Sequence, residues 1–498
     1  MQDEFCCEAI ITNAYIIKKR YGSEAMEIGV HRLLDFDGAI MTDSGAYQIL
    51  VYGDVETTNR EIIGFQEQIG ADIATILDVP TGWGVSEQYA KATVEETVKR
   101  AKELIQMKSR KDTLWVGPIQ GGVHLNCVTE SAKAMSGLPF QIHALGSPTP
   151  VMEQYLFDTL VDMIMAAKLN LPPDRPLHLF GAGHPFMFSL AVALGCDLFD
   201  SAAYAIYARE DRYMTETGTV RLGKLEYFPC SCVVCTRTNP ATARELPKVE
   251  RQEFLARHNL YVSLAEIRRT KQAMFEGRLW EHLEGRAHGH PSLLGAFRRL
   301  GRYINYIEKH SPTSKKSGLF FFSALGLARP EVARHGRRLL RRYTPPKDAR
   351  LLLLPQTRTK PFHRSREHRR ILEEMEHKLG DKSGAIHVCT YAVPFGVIPI
   401  ELDEVYPLSQ YEVARPFDLD SISYVAEQVK NYIATKHYNE VILLEDAEVW
   451  KSRIASVCKR VCNEKQIPLT ILRADEPWSK PTLNNLIEVL QKAAGKRI

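Results

Sequence analysis

The first two hundred residues repeat one grammar seven times: a short apolar run ends on a polar residue or glycine, a loop follows, and a helix-like segment comes next. The runs are "AIIT" ending near Asn13, "GAIMT" at Asp43, "DIATIL" at Asp78, "LWVGPI" at Gln120, "FQIHAL" at Gly146, "LHLF" at Gly181 and "CDLF" at Asp200. Helical stretches such as "SEQYAKATVEETVKRAKELIQ" and "VMEQYLFDTLVDMIMAAKLN" lie between them. This alternation constrains the chain more than any bulk property, because strands separated by helices join as parallel neighbours. Seven such units predict an α/β fold, a (β/α)8 TIM-type barrel that is one strand short. In that fold the polar run-ends fall at the carboxyl ends of the strands, where barrels build their sites.

After Asp200 the grammar breaks at "LEYFPCSCVVCTRTNP". Cys230, Cys232 and Cys235 present three thiolates to one ion from a tight loop, and a structural zinc takes four tetrahedral N/S ligands. His258 stands in the helix-like "EFLARHNLYVS" and closes the shell. Four protein ligands leave no open position for water or substrate, so the expected Zn2+, one per chain, is structural. The cysteine segment makes an inserted zinc-binding subdomain over about 225–310, within a barrel region of 1–340. Past the linker "YTPPKDA", the runs "RLLLLP", "AIHVCTYAV", "EVILLE" and "LTILR" predict a smaller C-terminal three-layer α/β domain over 345–498.

Composition narrows the setting. The ten cysteines are clustered rather than spread as a disulfide framework, which favours a reducing, cytoplasmic location. No apolar run of eighteen or more residues offers a membrane span, and "MQDEFCCEAI" lacks the form of a secretory signal. Net charge is only +4, but between Arg298 and Arg342 twelve Lys or Arg face two acids, Glu308 and Glu331. Such a block suits phosphate contacts.

The zinc spacing after "GCDLFDS", together with "MTDSGAYQ", "TILDVPTGWG", "VGPIQGG" and "LFGAGHPFMF" in that order, resembles the archaeal branch of the tRNA-guanine transglycosylases. The resemblance covers about residues 8–340. It implies exchange of a guanine in the dihydrouridine arm of tRNA for 7-cyano-7-deazaguanine, a step toward archaeosine, without breaking the phosphodiester chain. Base exchange at ribose C1′ with retention needs a carboxylate nucleophile and a second group that manages the proton on the base. By resemblance Asp200 is the nucleophile and Asp43 the general acid/base, although the reverse assignment remains open on the sequence. Guanine offers an N1–H and an amine as donors, so its reader must be a carboxylate. Asp78 matches the family's guanine-reading aspartate.

The same resemblance gives Gln120 the O6/N7 edge of the base and lets the backbone at Gly146 and Ser147 approach it. Ser44 of the D-S-G motif is placed in the substrate site, and Tyr47 where the family stacks an aromatic on the base. The family's first barrel strand and its terminal β-rich RNA-binding module have no counterpart in this sequence. The expected partners are therefore tRNA, guanine and 7-cyano-7-deazaguanine, a homodimer, and a separate RNA-binding subunit supplied in trans. A non-catalytic tRNA-binding subunit and a queuosine-type transglycosylase are the competing readings. Retention of all three aspartates opposes the first, and the C-terminal α/β domain opposes the second.

Overall fold

The computed structural model describes residues 1–46 and 57–495; Tyr47 lies outside the described residues. Packing divides the chain into two units, Met1–Phe275 with His282–Leu300, and Glu276–Glu281 with Gly301–Ile498.

The first unit is built on a curled parallel sheet of seven strands in sequence order, of the (β/α)8 type: β1 (Ala9–Asn13), β2 (Ala39–Asp43), β3 (Ile73–Thr75), β4 (Leu114–Ile119), β5 (Ile142–Leu145), β6 (Leu177–Leu179) and β7 (Leu198–Phe199). Each of the seven apolar runs supplies one strand. Their order follows from right-handed crossovers through the intervening helices. Helix Glu87–Met107 starts where Ser86 accepts from Tyr89 N, and its buried stripe Ala90, Val94, Ala101 and Leu104 recurs at helical spacing. The second expected helix is broken in two, Thr149–Glu153 and Phe157–Lys168. Tyr155 between them takes a left-handed φ of 57°, with its N–H on Met152 O and the Leu156 N–H on Val151 O. That is a helix stop of the kind usually made by glycine, so sequence pattern gave no warning of it.

A small subdomain follows β7. The hairpin β8 (Arg212–Met214) and β9 (Thr219–Arg221) and the cysteine loop share a core with helix Lys248–Glu276. Tyr213, Leu222, Val234, Phe254 and Leu255 fill that core. The subdomain is stitched to the start of the chain, where Glu4 receives Arg257 and the Tyr261 hydroxyl and Phe5 packs on Tyr261.

The second unit pairs β10 (Leu319–Phe321) with β14 (Tyr411–Val413) and carries a five-stranded sheet. That sheet is formed by β11 (Arg350–Pro355), β12 (Ile386–Ala392), β13 (Gly396–Pro399), β15 (Glu440–Asp446) and β16 (Leu469–Ala474), in the order β13-β12-β11-β15-β16. Only β13 runs antiparallel. Leu351 and Leu353 face one core and Leu352 and Leu354 the other, all fully buried. Burying each side chain stabilises by about 1.5–3 kcal/mol, which is why an unbroken leucine run belongs to a strand covered on both faces. The four expected strands are present. The fifth, β13, was not expected: the chain turns back after the run "AIHVCTYAV" and Gly396–Pro399 pairs with it as a hairpin.

Contacts divide the chain earlier than the 340–345 linker. Residues 301–342 pack with the second unit, through the β10–β14 pairing and through Leu339, which joins the core of Leu351 and Leu353. Five members of the basic block are held in ion pairs: Arg299 with Asp162, Lys315 with Glu331, Arg329 with Glu281, and Arg334 and Arg337 with Glu308. Fewer of its cations are therefore available to phosphates than the sequence suggests. Among the described residues no helix is long and apolar enough to cross a membrane.

Candidate active site and metal centre

Parallel strands in register bring their last residues together. Asn13 and Asp43 are partners across β1 and β2. Asn13 Oδ1 accepts from Ile16 N at 2.9 Å, capping the next helix, which turns its amide nitrogen toward Asp43 Oδ2 at 3.0 Å. Burial raises the Asp43 carboxyl to about 7, and the negative charges of Asp78 and Asp200 push the same way. Asp43 and Asp200 thus share one field, although 157 residues of chain separate them. Ser44, beside Asp43, is fully buried, and its hydroxyl has no hydrogen-bond partner among the described residues.

Asp200 follows β7. Its Oδ1 accepts from Gly181 N at 2.9 Å and lies 2.9 Å from His178 Nε2. Both contacts are on one oxygen, and Oδ2 accepts no hydrogen bond among the described residues.

Asp78 is buried just beyond β3, and burial raises its carboxyl to about 6 against the opposing bond from Gln120. Gln120 Nε2 donates to Asp78 Oδ2 at 2.5 Å, while Gln120 Oε1 accepts from Thr81 N and from Ser147 Oγ, each at 3.0 Å. One amide N–H of Gln120 is thus spent on Asp78, and one remains to donate. A Cβ on Gly146 would stand 2.2 Å from Gln120 Nε2, so this strand end must be glycine for the glutamine to lie where it does. Ser147 takes φ 59°, which aims its hydroxyl at Gln120.

The structure therefore brings Asp43, Asp78 and Asp200 into one another's reach and joins Asp78, Gln120 and Ser147 in one hydrogen-bond network with Thr81. Two contributors were given no role from the sequence: Asn13 stood only among the polar run-ends, and His178 was one residue inside the run "LHLF".

The metal centre assembles as expected. One ligand atom each from Cys230, Cys232, Cys235 and His258 lie within 4.8 Å of one another. His258 Nδ1 is 3.3 Å from Cys235 Sγ and 3.7 Å from Cys232 Sγ. Tetrahedral ligands about 2.3 Å from a zinc ion sit about 3.7 Å apart, so the cluster fits one ion. Met214 O lies 2.9 Å from His258 Nε2, which assigns the proton there and turns Nδ1 to the sulfurs. The Tyr213 ring stacks on the imidazole at 3.5 Å, and its hydroxyl is 3.3 Å from Cys235 Sγ.

Residues 1–292 match the family described as queuine tRNA-ribosyltransferase, and residues 332–490 match a domain of unknown function, DUF5591. The chain is 45% identical over 421 residues to a tRNA-guanine(15) transglycosylase of Methanocaldococcus jannaschii, covering 83% of this chain and 62% of that protein. Proteins of the same name from Methanothermobacter thermautotrophicus and Thermococcus kodakarensis are 42% identical over 426 residues and 49% identical over 327 residues. Those matches cover 85% and 65% of this chain, and 64% and 56% of the relatives. The chain thus spans less than two thirds of the length of these relatives. With the strand-end aspartates and the Cys3His cluster in place, and with the family match running over more than half of its length, the chain belongs to the queuine tRNA-ribosyltransferase family.

Proposed function

We propose that the chain exchanges the guanine at position 15 of tRNA, in the dihydrouridine arm, for 7-cyano-7-deazaguanine on the route to archaeosine, acting in the cytoplasm. The observation that carries this reading is the placement of Asp43, Asp78 and Asp200 at the carboxyl ends of one sheet, with Asp43 raised to about 7.

The free Oδ2 of Asp200 attacks ribose C1′ as the C1′–N9 bond breaks, giving an aspartyl-ribosyl intermediate with both phosphodiester bonds intact. Asp43, still partly protonated near neutral pH, gives its proton to the departing base. In the second half the incoming base loses its N9 proton to Asp43, its nitrogen attacks C1′, and the Asp200 carboxylate departs. Two inversions give retention. Asp78, ionised, accepts from N1–H and the exocyclic amine, as a carboxylate must to read guanine. Gln120 donates to the other edge, Gly146 and Ser147 bring backbone close to the base, Ser44 belongs to the same site, and stacking on the base is the role the family resemblance gives Tyr47. Cys230, Cys232, Cys235 and His258 would hold a zinc ion through four protein ligands, and it would serve to hold the subdomain together.

The test is trapping of the protein–RNA adduct. Asp200→Ala is expected to abolish both exchange and adduct, whereas Asp43→Ala slows exchange by a factor of about 100 or more and still forms adduct. Adduct from Asp200→Ala but not from Asp43→Ala would reverse the two roles. Wild-type protein that forms no adduct and exchanges no base would refute the reading.

A further inference from the structure

The five-stranded sheet of the second unit has a topological switch. From β11 the chain passes to helix Arg366–Leu379, which packs with Leu352 and Leu354 through Ile371 and Met375. From β15 it passes to helix Arg453–Lys465, which packs on the opposite face with Leu351 and Leu353 through Ile454 and Cys458. β11 and β15 are neighbours. The loops leaving their carboxyl ends therefore part to opposite sides, and in open α/β sheets this divergence opens the crevice where ligands bind.

The β11 loop is held at its base. Gln356 N donates to Tyr391 O at 3.2 Å and Gln356 Oε1 accepts from Val393 N at 2.8 Å, while His368 Nε2 lies 3.0 Å from Pro355 O. From this loop Lys360 places its ammonium 4.7 Å over the Tyr411 ring, with only 9% of the side chain exposed. Its polar contacts are the Arg358 carbonyl at 3.2 Å and Glu412, 3.9 Å away and 75% exposed. Arg415 lies over the Phe417 ring at 5.0 Å, and Phe417 packs 5.7 Å from Trp450, which ends the short helix after β15. That chain of contacts brings Arg415 to the β15 side of the crevice. Asp446, the last residue of β15, accepts from Val449 N at 3.0 Å as a helix cap.

Neither the Arg358 nor the Arg415 guanidinium makes an ion pair within 4 Å of a carboxylate among the described residues. Arg415 is depressed by partial burial and then by the charge of Arg358, against Asp446 and Glu412, and Lys360 is depressed by burial and by Arg415, against Glu412. Glu412, mostly exposed, and Asp446, already a helix cap, are the carboxylates whose charges reach this set. Neither pairs with a guanidinium within 4 Å among the described residues, so an anion could still be held between the arginines and Lys360, the one nearly out of water.

We propose that the crevice at the carboxyl ends of β11 and β15 binds a phosphate group through Arg358, Lys360 and Arg415, presented by a polynucleotide backbone or by a free nucleotide. Two charge-bearing side chains are exposed, so Arg358→Gln/Arg415→Gln tests the site without disturbing the core, and an unchanged melting temperature verifies this. The full chain is titrated with a tRNA transcript over a salt series and, separately, with ADP. If the phosphate belongs to RNA, the double variant flattens the slope of log Kobs against log salt by about 1.5, at roughly 0.7–0.9 for each lost phosphate contact. If it belongs to a free nucleotide, wild type binds ADP and the double variant binds it at least tenfold more weakly. An unchanged tRNA slope together with no variant-sensitive ADP binding overturns the proposal. Guanine exchange at saturating tRNA is read in parallel. Its loss in wild type would defeat the base-exchange reading alone, and the two binding titrations would still decide this site.

Discussion

At Asp43, burial and the charges of Asp78 and Asp200 all favour the protonated carboxyl, while in the proposed mechanism Asp78 needs its charge to accept from guanine. Turnover on free enzyme and substrate thus needs Asp78 ionised, above about 6, and Asp43 protonated, below about 7. We expect a narrow bell for kcat/KM with its maximum between those values, moved to higher pH on the basic side by any change that removes a partner favouring ionised Asp43. A broad plateau from pH 5 to 9 would contradict the assignment. The same shift has a consequence for stability. A carboxyl raised in the folded state costs stability progressively as pH rises from the ordinary aspartate value, below which both states are protonated, and the cost is complete above about 7. Asp43→Asn should therefore raise stability at pH 8 by on the order of 1 kcal/mol and lose that advantage near pH 4, while exchange falls. Asn13 donates to this carboxylate, and a bond to a charged group contributes about 1.5–3 kcal/mol. Asn13→Ala should lower kcat/KM about tenfold or more, measured beside its melting temperature, since Asn13 also caps a helix.

At the scale of elements, the strands were legible because each is an apolar run closed by a polar residue, and that residue is the one the sheet presents at its carboxyl end. Asp43, Asp78, Gln120 and Asp200 were found this way. The cysteine loop was legible for a different reason: its ligands are local except His258, and the long helix Lys248–Glu276 supplies that one. What stayed hidden depends on contacts between distant segments. The Asn13–Asp43 bond, the His178–Asp200 pair and the hydroxyl of Tyr213 against Cys235 have no local signature. Tyr155 in a left-handed conformation and the β12–β13 hairpin likewise break rules that pattern reading relies on. The metal loop also yields a prediction. Its small core is filled by few large side chains, so ligand bonds contribute much of its folding energy. Wild type should carry about one zinc per chain, and Cys232→Ser should lose it together with a large drop in melting temperature. Metal-free wild type with an unchanged melting curve would contradict a structural zinc.

Over the whole molecule, two units of different construction share one chain. The first sets polar residues at strand ends around three aspartates, and the second carries the switch point proposed above to bind phosphate. Paired charges in 301–342 belong mostly to the packing of the second unit, which shifts attention for phosphate contacts from that block to Arg358, Lys360 and Arg415. Base exchange by the first unit is tested by supplying tRNA carrying labelled guanine at position 15 together with unlabelled 7-cyano-7-deazaguanine. Expected are release of labelled guanine from intact, full-length tRNA, incorporation of the deazaguanine at that position, and neither event with Asp200→Ala. Retention of label by wild-type protein, or its release only with cleavage of the RNA chain, would contradict it.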